Sequence, residues 1–411
     1  MMKNKPEKTL LVGLDIGTSK VVAIVGEVDE SGKLNIIGIG HHPSRGLKKG
    51  VVVNIDATEK SIKRALEEAE LMAGCEIHSV CAGIAGSHMR FLNSHGIVAI
   101  RDHEVTEADV ERVIDAAKAV AIPADQKILH VLPQAYAVDE QAGIREPIGM
   151  SGVRLEAKVH MVMGAVSAVQ NIVKCVRRCG LEVDDIVLEQ LASSHAVLTD
   201  DEKELGVCMI DIGGGTTDLI IFTEGAVRHT AVIPIAGDQV TNDIAMAMRT
   251  PTQSAEALKK DYGCALASMV DEHEMLDVNT VGDRPTRQLS RKMLAEVIEA
   301  RFEELFTLVR QEIRRSGLQD LIISGIVLTG GSSKIPGAVV LAEEVFQMPV
   351  RVGYPQHVGG LTDVVSNPMY ATGVGLLLYA LERDSKGKGA LWSTEGASIW
   401  QRMQGWLQKS F

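Results

Sequence analysis

Cysteine is scarce: six residues, at 75, 81, 175, 179, 208 and 264, with no CxxC pair among them. Cys175 and Cys179 share a helical face, but no second His or Cys pair stands beside them. The pattern reads as buried, reduced thiols rather than a disulfide framework or a zinc site. No run of 18 apolar residues occurs, so no stretch reads as a membrane-spanning helix. The opening residues, MMKNKPEKTL, lack the apolar core of a signal peptide, and a cytoplasmic protein is the expectation. Excess positive charge is also missing. Lys and Arg number 42 against 54 Asp and Glu, a net charge of −12, which argues against non-specific nucleic-acid binding. Neither the Walker pattern GxxxxGK[ST] nor the dinucleotide fingerprint GxGxxG is found. What is present is a chain of 411 residues, 45% hydrophobic and 23% charged, long enough for two lobes with cores of their own.

The most informative stretch lies at 205–228. An apolar run from Val207 to Ile210 meets Asp211, then Gly213, Gly214 and Gly215, then Thr216, Thr217 and Asp218, before a second apolar run, Leu219 to Phe222. This reads as strand, glycine turn, strand. Glycines let backbone N–H groups crowd round an anion, the two threonines add hydroxyls, and Asp211 is placed for a metal-bound water. The plainer alternative is a glycine hairpin with a capping Asp. Residues 9–28 repeat the pattern: apolar strand, Asp15, Gly17, Thr18, Ser19, Lys20, apolar strand. A repeat of this kind implies two similar lobes, each offering one phosphate hairpin to a shared cleft. A third stretch, Gly325 to Lys334, runs from a strand into Gly330, Gly331 and Ser332 and then a helix, whose N-terminus again suits a phosphate.

Along the chain, His41 to Gly46 reads as a loop, and Thr58 to Ala73 as an amphipathic helix. Residues 84–163 look like a separate insertion. It has a capping-box start at Thr106 and Asp109, a helix to about Val120, and strand-like runs at Lys127 to Pro133, Ala135 to Val138 and Val153 to Met163. It holds no phosphate motif, so interaction is its expected role. Glu189 opens a helix after the strand Val183 to Leu188; in the plainest reading it is a carboxylate favoured by the helix dipole. Glu256 and Lys259 stand three apart on one helix face, which alone is an ordinary ion pair. Asp271 to Asp277 reads as an acidic loop. The most basic local run, 281–292, precedes a long amphipathic helix reaching Ser316. Its Arg284, Arg287 and Arg291, with Arg301, form a candidate dock for an acidic partner segment.

The composition shifts at 383–397 to a Ser-, Gly- and Lys-rich linker. On a helical wheel, Ile399, Trp400, Met403, Trp406, Leu407 and Phe411 of the final stretch 398–411 fall within an arc of roughly 140°. Such a helix suits the headgroup plane, with Arg402 and Lys409 near anionic lipid. A helix docked on a partner is the alternative. One tail with two cations binds weakly, so firm attachment would need several tails on one assembly.

The three glycine elements, in this order, resemble the actin-like ATPase superfamily. The insertion, the basic run, the tail and the stretches VLPQAYAVD, SGVRLEAKVH, ELGVCMIDIGGGTTD and MLAEVIEARF resemble one branch of it, the FtsA family of bacterial division proteins. The resemblance implies an α/β, actin-like two-lobed ATPase fold with duplicated sheet-and-helix domains and an inserted small α+β subdomain. It divides the chain into a first-lobe core at 1–83, completed by 164–200 and 360–382; the insertion at 84–163; a second-lobe core at 201–237 and 306–359; and a small lobe at 238–305. It further implies ATP with Mg²⁺ held through water by Asp15 and Asp211, and phosphates faced by Gly17, Thr18, Ser19 and Lys20 on one side and Gly213 to Thr217 on the other. Adenosine would lie near Gly330, Gly331, Ser332, Glu256 and Lys259. Glu189 would be the candidate for orienting the attacking water, although Gln190 stands where the superfamily has Pro; hydrolysis is expected to be slow at most. The partners implied are the C-terminal peptide of the tubulin-like FtsZ, with Arg287 and Arg301 the favoured contacts, further copies of the chain in a filament, inner-membrane lipid through the tail, and later division proteins. The place implied is the cytoplasmic face of the inner membrane at the division site. Two other classes compete: an MreB-like or pilus-assembly scaffold, and a small-molecule kinase, for which no sugar-site signature is seen.

Overall fold

The computed structural model describes residues 9–282 and 285–385. Two sheets built on one plan carry it. In the first, strands Thr9–Ile16, Lys20–Val28 and Leu34–Pro43 form an antiparallel meander. Ser79–Ile84 then joins Thr9–Ile16 in parallel, and Glu182–Leu188 joins Ser79–Ile84, also in parallel. In the second, Val207–Ile212, Thr217–Thr223 and Ala226–Ile233 form the same meander, and Ile326–Thr329 and Val350–Val352 add the same two parallel strands. Short Gly359–Gly360 pairs with the outer edge of the first sheet. The repeat of Asp-Ile-Gly in the sequence is therefore a repeat of topology.

Helices fill the crossovers that parallel strands require. Ile55–Ala73 and Arg291–Ser316 occupy the first joint of each plan, and Val166–Arg178 and Ala338–Phe346 the second. Ile55–Ala73 starts at an Asn54 cap and stops at Gly74 in the left-handed region. Both faces of the second sheet are covered. Val207 and Met209 pack into the core shared with the first lobe, whereas Cys208, Ile210 and Ile212 pack into the second-lobe core, the period-two alternation of a strand. Two helices meet between the lobes: Glu189–Val197, and Ala371–Ser385 with its buried Gly373 and Gly375.

Residues 90–165 add a four-stranded antiparallel sheet, in the order Arg90–Ala99, Arg154–Ala165, Gln126–Val138, Gln141–Ile144. The helix Glu107–Lys118, opened by the Thr106–Asp109 capping box, packs on it over a separate core that includes Val113, Leu155, Val159 and Met161.

Several local expectations change. His41 and His42 end a strand rather than opening a loop, because they pair with Val22 and Val21. The two runs at 127–138 are one strand; Pro133, which cannot donate to a ladder, sits at a register shift where Gln134 bulges out. Met275–Val278 pairs with Arg287–Ser290, so part of the expected acidic loop is strand. After Gly330 comes a single 3₁₀ turn, Gly331–Lys334, and the α-helix begins only at Ala338; Pro336 and left-handed Gly337 separate the two. The final described helix continues to Ser385, three residues into the expected linker. Among the described residues, no helix is long and apolar enough to cross a membrane.

Candidate functional site

The two meander turns face each other between the lobes. Asp15 lies one residue before the end of the first strand and pairs in register with Val22; Asp211 holds the same place in the second lobe, opposite Asp218. The tips touch. The Ser19 hydroxyl donates to Asp238 Oδ1 at 3.1 Å, and the backbone N–H of Asp238 donates to the Gly214 carbonyl at 2.8 Å. A Cβ on Gly214 would overlap the Ser19 hydroxyl, and one on Gly215 would lie 2.5 Å from Thr18 Oγ1. Glycine is needed there so that the turns can approach. The Thr18 hydroxyl also accepts from the Gly50 N–H at 3.0 Å, tying the loop before the first helix to the same turn.

Gly330 closes the third side. Its φ of +82° and ψ of 164° belong to a region that only glycine occupies comfortably. A Cβ would run into Asp211 Oδ1 and lie 2.6 Å from the Ile212 carbonyl. The Ser332 hydroxyl donates to the Gly213 carbonyl at 2.9 Å, joining the third stretch to the second hairpin. Lys259, almost fully buried, donates to Glu256 Oε2 at 2.6 Å, Thr241 Oγ1 at 2.7 Å and the Gly237 carbonyl at 3.0 Å. Gly237 lies directly behind Ser332, so the Glu256–Lys259 pair is a wall of the cleft rather than a solvated surface pair. Burial alone would raise Glu256, but Lys259 holds its carboxyl below the usual range.

The cleft floor is acidic. Asp15 accepts from Lys20 Nζ at 2.6 Å; burial would lower the lysine, and Asp15 outweighs it and holds the ammonium above its ordinary value. The Ser193 hydroxyl donates to Asp211 Oδ2 at 2.7 Å, and Thr372 stands behind both. Burial, reinforced by the charge of Asp15, pushes Asp211 up to about 6. Burial and the charge of Asp211 push Asp218 up to about 7. Burial and then Asp15, Asp218 and Asp211 push Glu189 well above the carboxylate range, against the pull of Lys20. One lysine among four carboxyl groups leaves the floor short of positive charge, and that donor set fits a hydrated divalent cation. No three His, Cys, Asp or Glu side chains converge as direct ligands among the described residues.

Residues 208–375 match the family model described as Cell division protein FtsA, and residues 86–163 the model described as SHS2 domain inserted in FTSA. Over 409 residues the chain is 66% identical to the cell division protein FtsA of Pseudomonas aeruginosa, covering 98% of each. The chain belongs to the FtsA family. Among solved structures it resembles the PilM–PilN type IV pilus biogenesis complex at 17% identity, with a TM-score of 0.65 over 90% of this chain and 98% of that one. MreB5 of Spiroplasma citri bound to ADP aligns at 16% identity, with a TM-score of 0.58 over 93% and 100%. These likenesses show the actin-like fold.

The FtsA framework brings together Asp15, Gly17, Thr18, Ser19, Lys20, Glu189, Asp211, Gly213, Gly214, Gly215, Gly330, Gly331 and Ser332, with Glu256 and Lys259 beside them. The two threonines differ from the expectation: Thr216 gives its hydroxyl proton to Asp218 and Thr217 to the Ile235 carbonyl, each at 2.8 Å, so what they offer the turn is backbone. Gln190, fully buried, finds no partner for either amide atom among the described residues. Asp218, Ser193, Thr372 and Asp238 were not among the sequence candidates. Only Asp218 left a signal: in a hairpin that closes over four residues it must stand opposite Asp211.

The candidate dock in the small lobe is more internally paired than a free basic patch. Arg287 donates to the Met248 carbonyl, Arg291 pairs with Glu274 at 2.8 Å and caps the Tyr262 carbonyl, and Arg301 bridges Asp243 and Glu304. Arg284 lies outside the described residues, as do Ile399, Trp400, Met403, Trp406, Leu407 and Phe411 of the tail.

Proposed function

We propose that this FtsA-family chain is an ATP-binding, filament-forming tether that holds FtsZ at the cytoplasmic face of the inner membrane and recruits later division proteins. The observation that carries the nucleotide part is the pair of touching glycine turns, each preceded by its own Asp, with Gly330 and Ser332 closing the third side. Bound Mg²⁺ supplies the positive charge that the acidic floor lacks. Asp15 and Asp211 hold its water shell, while backbone N–H groups of Gly17 to Ser19 and Gly213 to Thr217, with Lys20, face the phosphates. The wall of Gly330, Gly331, Ser332, Glu256 and Lys259 takes the adenosine. Because the two turns belong to different lobes, nucleotide acts as a clamp that selects one lobe arrangement. Burial and the neighbouring Asp15, Asp218 and Asp211 favour the protonated form of Glu189, which makes it a weak base for a water, so turnover is slow.

The small lobe, with Arg287 and Arg301, takes the acidic C-terminal peptide of FtsZ, and self-association multiplies the weak lipid affinity of the tail sequence 398–411 into firm attachment. Flotation with anionic liposomes tests the whole reading. The full chain and a chain ending at Ser385 are compared with and without ATP, with FtsZ in every tube. The expected result is that only the full chain floats and carries FtsZ with it. Flotation of neither form, or equal flotation of both, would overturn the tether.

A further inference from the structure

One strand of the inserted subdomain touches both lobes. At its near end, the Leu188 backbone N–H donates to His130 Nε2 at 3.1 Å. Leu188 is the residue before Glu189, so this bond fixes where the chain enters the cleft floor. His130 is buried, edge-on to Tyr379 with ring centroids 6.1 Å apart. Accepting at Nε2 requires a neutral ring with its proton on Nδ1, and burial, which pulls the pKa down to about 4, keeps it so.

Four residues further along the same strand, bulged Gln134 reaches out of the insert, while also donating to Asn93 Oδ1 within it at 3.5 Å. Its Nε2 donates to the carbonyls of Val227 at 2.9 Å and Arg228 at 3.3 Å. On the neighbouring strand, His160 donates from Nδ1 to Asn93 Oδ1 at 2.6 Å and accepts at Nε2 from the Thr230 hydroxyl at 2.8 Å. Val227, Arg228 and Thr230 all lie on Ala226–Ile233, the edge strand of the second-lobe sheet. Arg145, just after the insert's edge strand Gln141–Ile144, pairs with both oxygens of Glu204 at 2.6 Å beside the turn that opens this strand. The insert is rooted in the first lobe, yet it covers the open edge of the second.

We propose that the inserted subdomain is a positioning strap for the cleft, held to the first lobe at His130 and to the second at Gln134 and His160. The inference rests on the nucleotide-clamp reading. If nucleotide selects one lobe arrangement, a body bonded to both lobes must shift when they rotate, and by linkage whatever binds the insert biases the cleft in return. The rigid paired strands Gln126–Val138 and Arg154–Ala165 carry the displacement to the helix Glu107–Lys118.

Amide hydrogen exchange on the full chain, with and without Mg-ATP, tests this alongside calorimetric ATP binding. In the natural chain, ATP is expected to change exchange in Glu107–Lys118 and Ala226–Ile233. The double variant Gln134→Ala, Thr230→Val cuts the strap on the second-lobe side, away from the cleft. It should still bind ATP, with an affinity changed by about fivefold or more, and lose the response in Glu107–Lys118. His130→Gln keeps an acceptor for the Leu188 N–H and should retain the response; His130→Leu should lose it. Bound ATP with no change in the insert of the natural chain, or a full response in the double variant, would overturn the strap. Absence of ATP binding in the natural chain would instead overturn the clamp and the strap with it.

Discussion

Adjacent glycines 330 and 331 should respond very differently to the same substitution. Gly330 has φ +82° and ψ 164°, and a Cβ there collides with the Asp211 carboxylate and the Ile212 backbone. Gly331 has no such dihedral, and the nearest atom to an added Cβ is Met369 Cβ at 3.7 Å, an ordinary contact. In Gly330→Ala, the dihedral alone costs of the order of 1–3 kcal/mol. Relief requires the segment to move, which breaks the Ser332–Gly213 bond and turns Asp211 away from Ser193. If that strain falls on the bound state, ATP affinity drops by roughly five- to a hundred-fold. Gly331→Ala should stay within about twofold, less than 0.5 kcal/mol. Titration calorimetry with Mg-ATP reads both variants, and thermal unfolding reads any strain the free protein has already absorbed. Equal affinity and equal melting of the two variants would refute the argument from the third wall.

Thr230→Val removes the donor to a buried His160 Nε2 and should cost about 1–3 kcal/mol in denaturant unfolding; a neutral result would mean that water replaces the threonine. Asp218 has an ordinary value of 3.8 when unfolded, and burial with the charge of Asp211 pushes it up to about 7 in the folded protein. Between those values the folded state keeps a proton that the unfolded state has lost, so stability is fullest below pH 4 and declines toward pH 7. Asp218→Asn should flatten that decline in unfolding measured across this range, leaving the part due to Asp211 and Glu189; an unaltered slope would show that Asp218 ionises freely. Arg145→Ala removes a pair whose side chains are 58% and 50% exposed, so its effect should stay within about 1 kcal/mol; a cost above about 3 kcal/mol would mark the pair as buried.

Much of the cleft was legible because its signals are local. Asp15 and Asp211 each sit at the end of a strand, with glycines after them, and period-two burial makes such strands visible. The parts that escaped depend on distance along the chain. Ser193 and Thr372 reach Asp211 from 18 and 161 residues away, and nothing in either helix marks a hydroxyl that will meet a carboxylate. His130 and Gln134 read as ordinary strand residues, since the meaning of each lies in a partner backbone 58 and 93 residues on. The same holds for the candidate dock: Glu274 and Asp243, the intramolecular partners of Arg291 and Arg301, lie 17 and 58 residues away and are not signalled by the basic run.

The shared plan of the two sheets also bears on how copies of the chain can stack. Meander, helix, strand, helix, strand is written twice, but the additions fall at different joints: 90–165 follows the first parallel strand of one unit, and 237–290 precedes the corresponding strand of the other. Two bare units facing across a cleft would be related by a two-fold axis, with equivalent ends. The misplaced additions destroy that equivalence and give the molecule a distinguishable top and bottom. A surface on one end then has no twin on the other, so a contact joining the top of one copy to the bottom of the next would be heterologous, repeating in one direction as a filament or closing as a ring according to the rotation it imposes.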